Sequence, residues 1–245
     1  MNERIEHILL LKWLIFTGVI LFSLVLAWHQ DIITMLFVVD RSRISWAIAL
    51  IYMMVTIHCA YRIYMMSRQT KLSIEVEELI KKEKNISIAV DEEDVTINSG
   101  IKLPDCFMTE YIRDLHYNKK DSSDNKDIAT SSDLIDVYES RLKGPQEIGW
   151  FVSDMMLKMG LLGTIIGFIF MLGSVSNIAD FDVSSMQKIL KHMSTGMGTA
   201  LYTTLIGLIG SVLSAFQYHM LDRHADELIE LTRHLTQVHV IPKVN

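Results

Sequence analysis

Among the threonines inside long apolar runs are Thr164 in the run 155–175, and Thr203 and Thr204 in the run 193–216. A hydroxyl oxygen can lend lone pairs to a passing cation or to its water, so threonines at one membrane depth could line an ion path. The same hydroxyl can bond back to a carbonyl of its own helix, and spacing alone leaves both readings open. Thr164 lies about ten residues, a rise of about 15 Å, from one end of its run. Thr204 lies about twelve residues, about 18 Å, from the matching end of the next, so the two hydroxyls share a depth near mid-membrane.

Small residues surround them. The third run holds Gly160, Gly163, Gly167 and Gly173, and the fourth holds Gly196, Gly198, Ala200, Gly207, Ser211 and Ala215. Positions 203, 207, 211 and 215 repeat every four residues and make a ridge of small side chains on one helix face. Lipid supplies no hydrophobic drive between helices, so small residues that let backbones approach closely are what packs them. The third and fourth spans are therefore expected as a packed inner pair, with the first two, rich in Leu, Ile, Met and Trp, as a lipid-facing ring. Asp154 and Lys158 are four apart on one helical face. They could pair at the inner mouth of a path between the spans, or form a solvated ion pair with no part in conduction.

Four apolar stretches are needed to position these residues, and four are present: about 8–28, 44–66, 155–175 and 193–216. Each approaches the roughly 20 residues that cross a hydrocarbon core of about 30 Å. Half of the 245 residues are hydrophobic while the net charge is −6, so apolar and charged residues are segregated along the chain. The fold class predicted is an all-α integral membrane protein with four transmembrane helices, a helical cytoplasmic domain between spans two and three, and a helical C-terminal tail. No small-residue cleavage site follows the first apolar run, which predicts a retained span and not a signal peptide.

The chain divides into an N-terminal transmembrane hairpin (1–66), a cytoplasmic region (67–153), a pore-forming hairpin (154–218) and an amphipathic tail (219–245). Leu72, Val76, Leu79 and Ile80 recur at helical spacing, so span two is expected to continue out of the membrane as a helix. The run at 118–133 is poor in apolar residues and is expected as a flexible excursion. A short helix is expected at 133–142, burying Leu134, Val137, Tyr138 and Leu142, with Gly144 and Pro145 breaking it. In the tail, Leu221, Ala225, Leu228, Thr232 and Leu235 follow an approximate heptad. They predict a helix that packs on neighbouring helices, or one that lies on the inner leaflet. Arg4, Arg62, Arg68, Lys71, Arg141, Lys143 and Arg223 outnumber Arg41, Arg43, Lys188 and Lys191, so the middle region and both termini are expected in the cytoplasm.

Several classes are excluded or disfavoured. Cys59 and Cys106 are too far apart in this topology to pair and have no metal-ligand spacing. The tail histidines His219, His224, His234 and His239 lack i,i+4 spacing, so no metal site is expected. An acidic balance without a basic cluster argues against nucleic acid. No nucleophile and base pair or phosphate loop is present, so no enzyme is expected and no cofactor is called for.

Gly160-Leu-Leu-Gly-Thr-Ile-Ile-Gly167 resembles a signature of the MotA/TolQ/ExbB proton-channel family. Gly196-Met-Gly-Thr-Ala-Leu-Tyr-Thr-Thr-Leu-Ile-Gly-Leu208 is similar to that family's second pore helix, and the two motifs come in the family's order. The resemblance makes Thr164 and Thr204 ion-pathway residues, with Thr203 as an additional hydroxyl beside them. Gly160, Gly163, Gly167, Ala200, Gly207 and Ser211 are then helix-packing positions. A proline common before the first motif falls at Leu157, and Thr199 stands where many ExbB-type members carry an acid. Two spans ahead of the polar region resemble the MotA branch.

Between Met159 and Gln217 the only acids are Asp180 and Asp182, in the short connection between the spans. A membrane-embedded carboxylate must then come from a partner. The family implies a MotB/ExbD/TolR-like single-span protein with one essential aspartate, five copies of this chain around two of it, and H+ or Na+ as the ion. The setting implied is the bacterial inner membrane. The alternative is a non-conducting oligomeric scaffold or receptor whose glycine ridges only pack.

Overall fold

A computed structural model describes residues 8–40, 42–82, 88–90, 95–97, 101–121, 127–175 and 183–240. The expectations for Arg4, Arg41, Asp180, Asp182 and residues 122–126 of the polar run lie outside the described residues. Helix α1 spans Ile8–His29, α2 Ile32–Val39 and α3 Ile44–Lys82. Three short strands follow, β1 Ile88–Val90, β2 Val95–Ile97 and β3 Ile101–Lys102, paired antiparallel in the order β1-β2-β3. Then come α4 Phe107–Asp121, α5 Asp127–Val175 and α6 Val183–Leu235, which ends in a π-helical turn at Thr236–Val240. Four of the helices, α1, α3, α5 and α6, are long and apolar enough to cross a membrane. The chain is thus an all-helical, multi-pass membrane protein that also carries one small sheet.

Two compact units divide the chain. One comprises Trp13–Ala60 and Glu147–His219, the membrane unit. Many of its buried side chains are small or polar, such as Ser45, Ser153, Thr199, Ala200, Thr203 and Ser214, with Ile48, Met156 and Tyr218 enclosed among them, while most of its large apolar side chains face outward. That arrangement suits a lipid solvent, where close backbone contact and satisfied hydroxyls hold helices together. The connection between the first two spans contains α2, a helix whose end meets α6: the Thr199 hydroxyl donates to the Val39 carbonyl at 3.0 Å. Asp40, buried after α2, accepts from the backbone N–H groups of Ser42 at 2.9 Å and Ser45 at 2.8 Å and so caps the start of α3. Burial raises the Asp40 carboxyl, but the hydrogen bonds from Ser42 and Ser45 together outweigh it and hold it below the ordinary carboxylate value.

The other unit comprises Met1–Lys12, Tyr61–Gln146 and Met220–Asn245. Its core is the opposite kind, with Val76, Ile80, Val95, Leu103, Met108, Ile112 and Leu235 enclosed and Leu72 and Leu79 packed against them. Gln69 on α3 accepts from the first N–H of α4 at Phe107, 3.0 Å away, filling one of the donors a helix start leaves open. The tail residues Leu221, Ala225, Leu228, Thr232 and Leu235 are all buried. They pack within the chain's own unit, beside ion pairs from α5 to α6 at Lys143–Asp226 and Asp136–Arg233. An inner-leaflet position for that face is thereby replaced.

Three expectations are corrected. Gly144 and Pro145 do not break the helix, because α5 runs through them without interruption. Pro145 removes the N–H that would bond the Arg141 carbonyl, and Arg62 of α3 donates to the next carbonyl, Leu142, at 2.8 Å. A charge-assisted bond beside the weakened turn offsets part of the proline's cost. Val137 is 63% exposed and Ile135 takes the buried position beside Tyr138, whose hydroxyl donates to Asp114 at 2.5 Å. The polar run at 118–133 is helical at residues 118–121 and again from Asp127 onward.

Candidate functional site

Helices α5 and α6 meet along the two glycine-bearing faces. A Cβ placed on Gly207 would lie 2.7 Å from the Gly160 Cα and 2.8 Å from the Met156 carbonyl oxygen. One placed on Gly167 would lie 2.6 Å from the Ala200 nitrogen, and one on Gly163 would overlap the Thr203 side chain. No residue with a side chain fits these positions without moving the backbone, so glycine is required by the closeness of the two helices. Ser153 closes the same seam by donating to the Ser211 carbonyl at 2.8 Å. The paired positions 153/211, 160/207, 163/203 and 167/200 advance in opposite directions, which is the register of an antiparallel hairpin.

Within that hairpin the threonines divide. Thr203 is fully buried against Gly163, with its hydroxyl donating to the carbonyls of Thr199 at 2.9 Å and Ala200 at 3.1 Å. Thr204, one residue on, is half-buried and shares its proton between the carbonyls of Ala200 and, across the seam, Gly160, both at 3.1 Å. Thr164 is half-buried too and donates to Leu161 at 2.6 Å. A threonine hydroxyl has one proton and two lone pairs. Where the proton is committed to a carbonyl, the oxygen is left as an acceptor, the polarity that suits a cation, a hydronium or a protonated carboxyl. Thr164 and Thr204 keep that acceptor accessible, whereas Thr203 has it enclosed. The Gly160 carbonyl that holds Thr204 is four residues, about 6 Å of helix rise, from Thr164.

Lys158 donates to Asp154 at 2.5 Å, and both side chains are exposed. Farther toward the same end, Tyr218 of α6 is fully buried with its ring laid over Gly149 and its hydroxyl 2.8 Å from His58 Nδ1. A histidine inside the second apolar run, as His58 is, reads from sequence as a packed or interfacial residue. Its partner was missed, although a tyrosine at the end of an apolar span facing a glycine on the neighbouring helix is a recoverable signal. The link from Thr199 to Val39 was missed as well, because it depends on α2 folding back in the connection between the first two spans. Among the described residues no group of three or more His, Cys, Asp or Glu is placed to hold a metal ion.

The model of the MotA/TolQ/ExbB proton channel family matches residues 102–234, more than half of the chain and inclusive of both glycine-threonine motifs. Comparison with curated proteins and with solved structures gives no match.

Proposed function

Because the chain belongs to the MotA/TolQ/ExbB proton channel family, we propose that it is the ion-conducting, stator-type subunit of a membrane motor driven by a proton or sodium gradient. The observation that carries this reading is the pair of half-buried threonines, Thr164 and Thr204, on a hairpin whose apolar spans contain no acid. Such a hairpin can bind an ion's shell but cannot itself hold the ion by charge. A single-span partner with one intramembrane aspartate supplies the missing carboxylate, and ions cross by binding that acid at the level of the two threonines. Thr203 supports the path from behind, by fixing the phase of α6 against Gly163. Asp154 and Lys158 stand at the inner mouth.

In this reading five copies surround two of the partner in the bacterial inner membrane, with the termini and the region 67–153 in the cytoplasm. Moving one charge through about 100 mV releases roughly 2.3 kcal/mol, so a few ions per cycle suffice to turn or displace the partner. A second reading, a non-conducting scaffold, draws support from the fact that each threonine hydroxyl is already bonded to a backbone carbonyl.

Thr204→Val separates the two. It keeps the branched shape and removes the oxygen, so a scaffold tolerates it, while a path acquires an apolar collar. Desolvation of an ion there raises the barrier by several kcal/mol, about a hundredfold or more in flux. Expected in cells or vesicles carrying both subunits is loss of partner-dependent proton or sodium flux in Thr204→Val, and a smaller loss in Thr164→Val, with oligomer size unchanged. Thr195→Val serves as the control, since Thr195 makes the same kind of own-helix bond, to Lys191, near the outer end of the span. Flux equal to wild type in Thr204→Val leaves the scaffold reading.

A further inference from the structure

Asp154 and Lys158 sit on a stripe of α5 continued by Leu161, Ile165 and Leu172, each more than half exposed in the single chain. Gly160, Gly163 and Gly167, on another face of α5, are taken up by α6. A stripe of bulky apolar residues is ordinary against lipid, but Lys158 is a charged side chain inside the span, which is rare there and faces protein or water when it occurs, and Asp154 stands one residue outside the same span. The pair also has an exact balance of charge: one cation and one anion, bonded at 2.5 Å. Lys158 is six residues before Thr164, about 9 Å along the helix, which is about one Debye length in 0.1 M salt and is screened less where water is scarce.

We propose that Asp154 is a positioning residue for conduction: it holds Lys158 neutralised, so that no ring of fixed positive charge stands at the inner mouth of the ion path. The proposal rests on the motor reading above and assigns that site its electrostatic control. A cyclic assembly repeats every charge once per subunit. Lys158 without Asp154 would therefore set several cations around one narrow opening and repel an incoming H+ or Na+. Asp154 without Lys158 would set the same number of carboxylates there and retain the cation. Conduction requires entry to be favourable and exit to remain possible, and a paired ring meets both conditions.

The test is a charge cycle in vesicles containing the chain and its partner. Asp154→Asn is expected to lower cation flux about tenfold, the effect of roughly 1.4 kcal/mol in a barrier. Adding Lys158→Gln to it is expected to restore most of the flux, and raising the ionic strength is expected to shrink the defect of the single variant. A purely structural role would give neither the rescue nor the salt dependence. In addition, Lys158→Cys is expected to react with a charged, water-soluble thiol reagent while Leu172→Cys on the same stripe does not. The native Cys59 and Cys106 are buried and give a low background. Absence of flux in the wild type overturns the motor reading and this proposal with it. Wild-type flux accompanied by an unaffected Asp154→Asn, by no rescue in the double variant, or by an unreactive Lys158→Cys overturns this proposal alone.

Discussion

Thr203 and Thr204 are neighbours in the chain with different surroundings, because one residue of helix turns a side chain by about 100°. The same step places Thr203 in the ridge with Gly207 and Ser211 and leaves Thr204 at its edge. The four-residue repeat 203, 207, 211 was visible in the sequence and put Thr203 on the small-residue ridge, while the family resemblance counted it as an additional hydroxyl of the ion pathway. What was not visible is how close the two helices come, since that depends on three-dimensional contacts such as Gly163 against Thr203. Gly163→Ala is expected to destabilise the hairpin by about 1–3 kcal/mol, the usual cost of overpacking. Thr203→Gly placed in the same chain should recover part of that loss, because it vacates the Oγ1, Cβ and Cγ2 atoms that the new methyl group meets. Gly173→Ala is the comparison, because a Cβ there meets nothing within 4 Å. Thermal unfolding in mild detergent measures all three, and equal midpoints for Gly163→Ala and Gly173→Ala would contradict the close approach.

At the level of elements, the long helices were legible wherever a strong apolar or heptad pattern ran on past the membrane. The continuation of α3 through Leu72, Val76 and Ile80 and that of α6 through Leu221 to Leu235 follow from spacing alone. The sheet was not legible, because its strands have only two or three residues and offer too short an alternation to distinguish from loop. Helix α5 was misread at Gly144 and Pro145 because local propensity favours a stop there, and the compensation comes from Arg62, 80 positions away in sequence. A proline inside a helix costs about 3 kcal/mol, and a hydrogen bond from a charged donor contributes roughly 1.5–3 kcal/mol. Arg62→Gln is therefore expected to speed amide exchange in the turns around Leu142 by about tenfold or more, at 1.4 kcal/mol per decade. With Pro145→Ala also present, the increase should be smaller, because the turn regains its own N–H. Unchanged exchange in Arg62→Gln would mean that the guanidinium contributes nothing to holding α5 together.

At the scale of the molecule, the membrane unit leaves two kinds of apolar surface open. On α1 most exposed side chains are bulky, including Val19, Phe22 and Val25, and the helix has one glycine, Gly18, where a Cβ would meet nothing within 4 Å. Such a face has no means of close helix contact and suits lipid. On α6 the exposed residues Leu201, Leu205, Leu208 and Val212 border Thr204, whose free acceptor has no partner in lipid. If the Thr204 edge faces the centre of a ring, Leu208 side chains of neighbouring copies converge on one axis while Phe22 side chains point away from it. Leu208→Cys treated with a bis-maleimide of about 10 Å reach, on the order of an interhelical spacing, is expected to give a cross-linked dimer, the most that one reactive thiol per chain allows, while native mass spectrometry of the untreated assembly is expected to read five copies. Phe22→Cys under the same treatment is expected to stay monomeric. A native mass that stops at two copies would exclude the pentamer, and cross-linked dimer in equal yield from both positions would show that the α6 edge is no more central than α1, removing the enclosed path on which conduction past Thr204 depends.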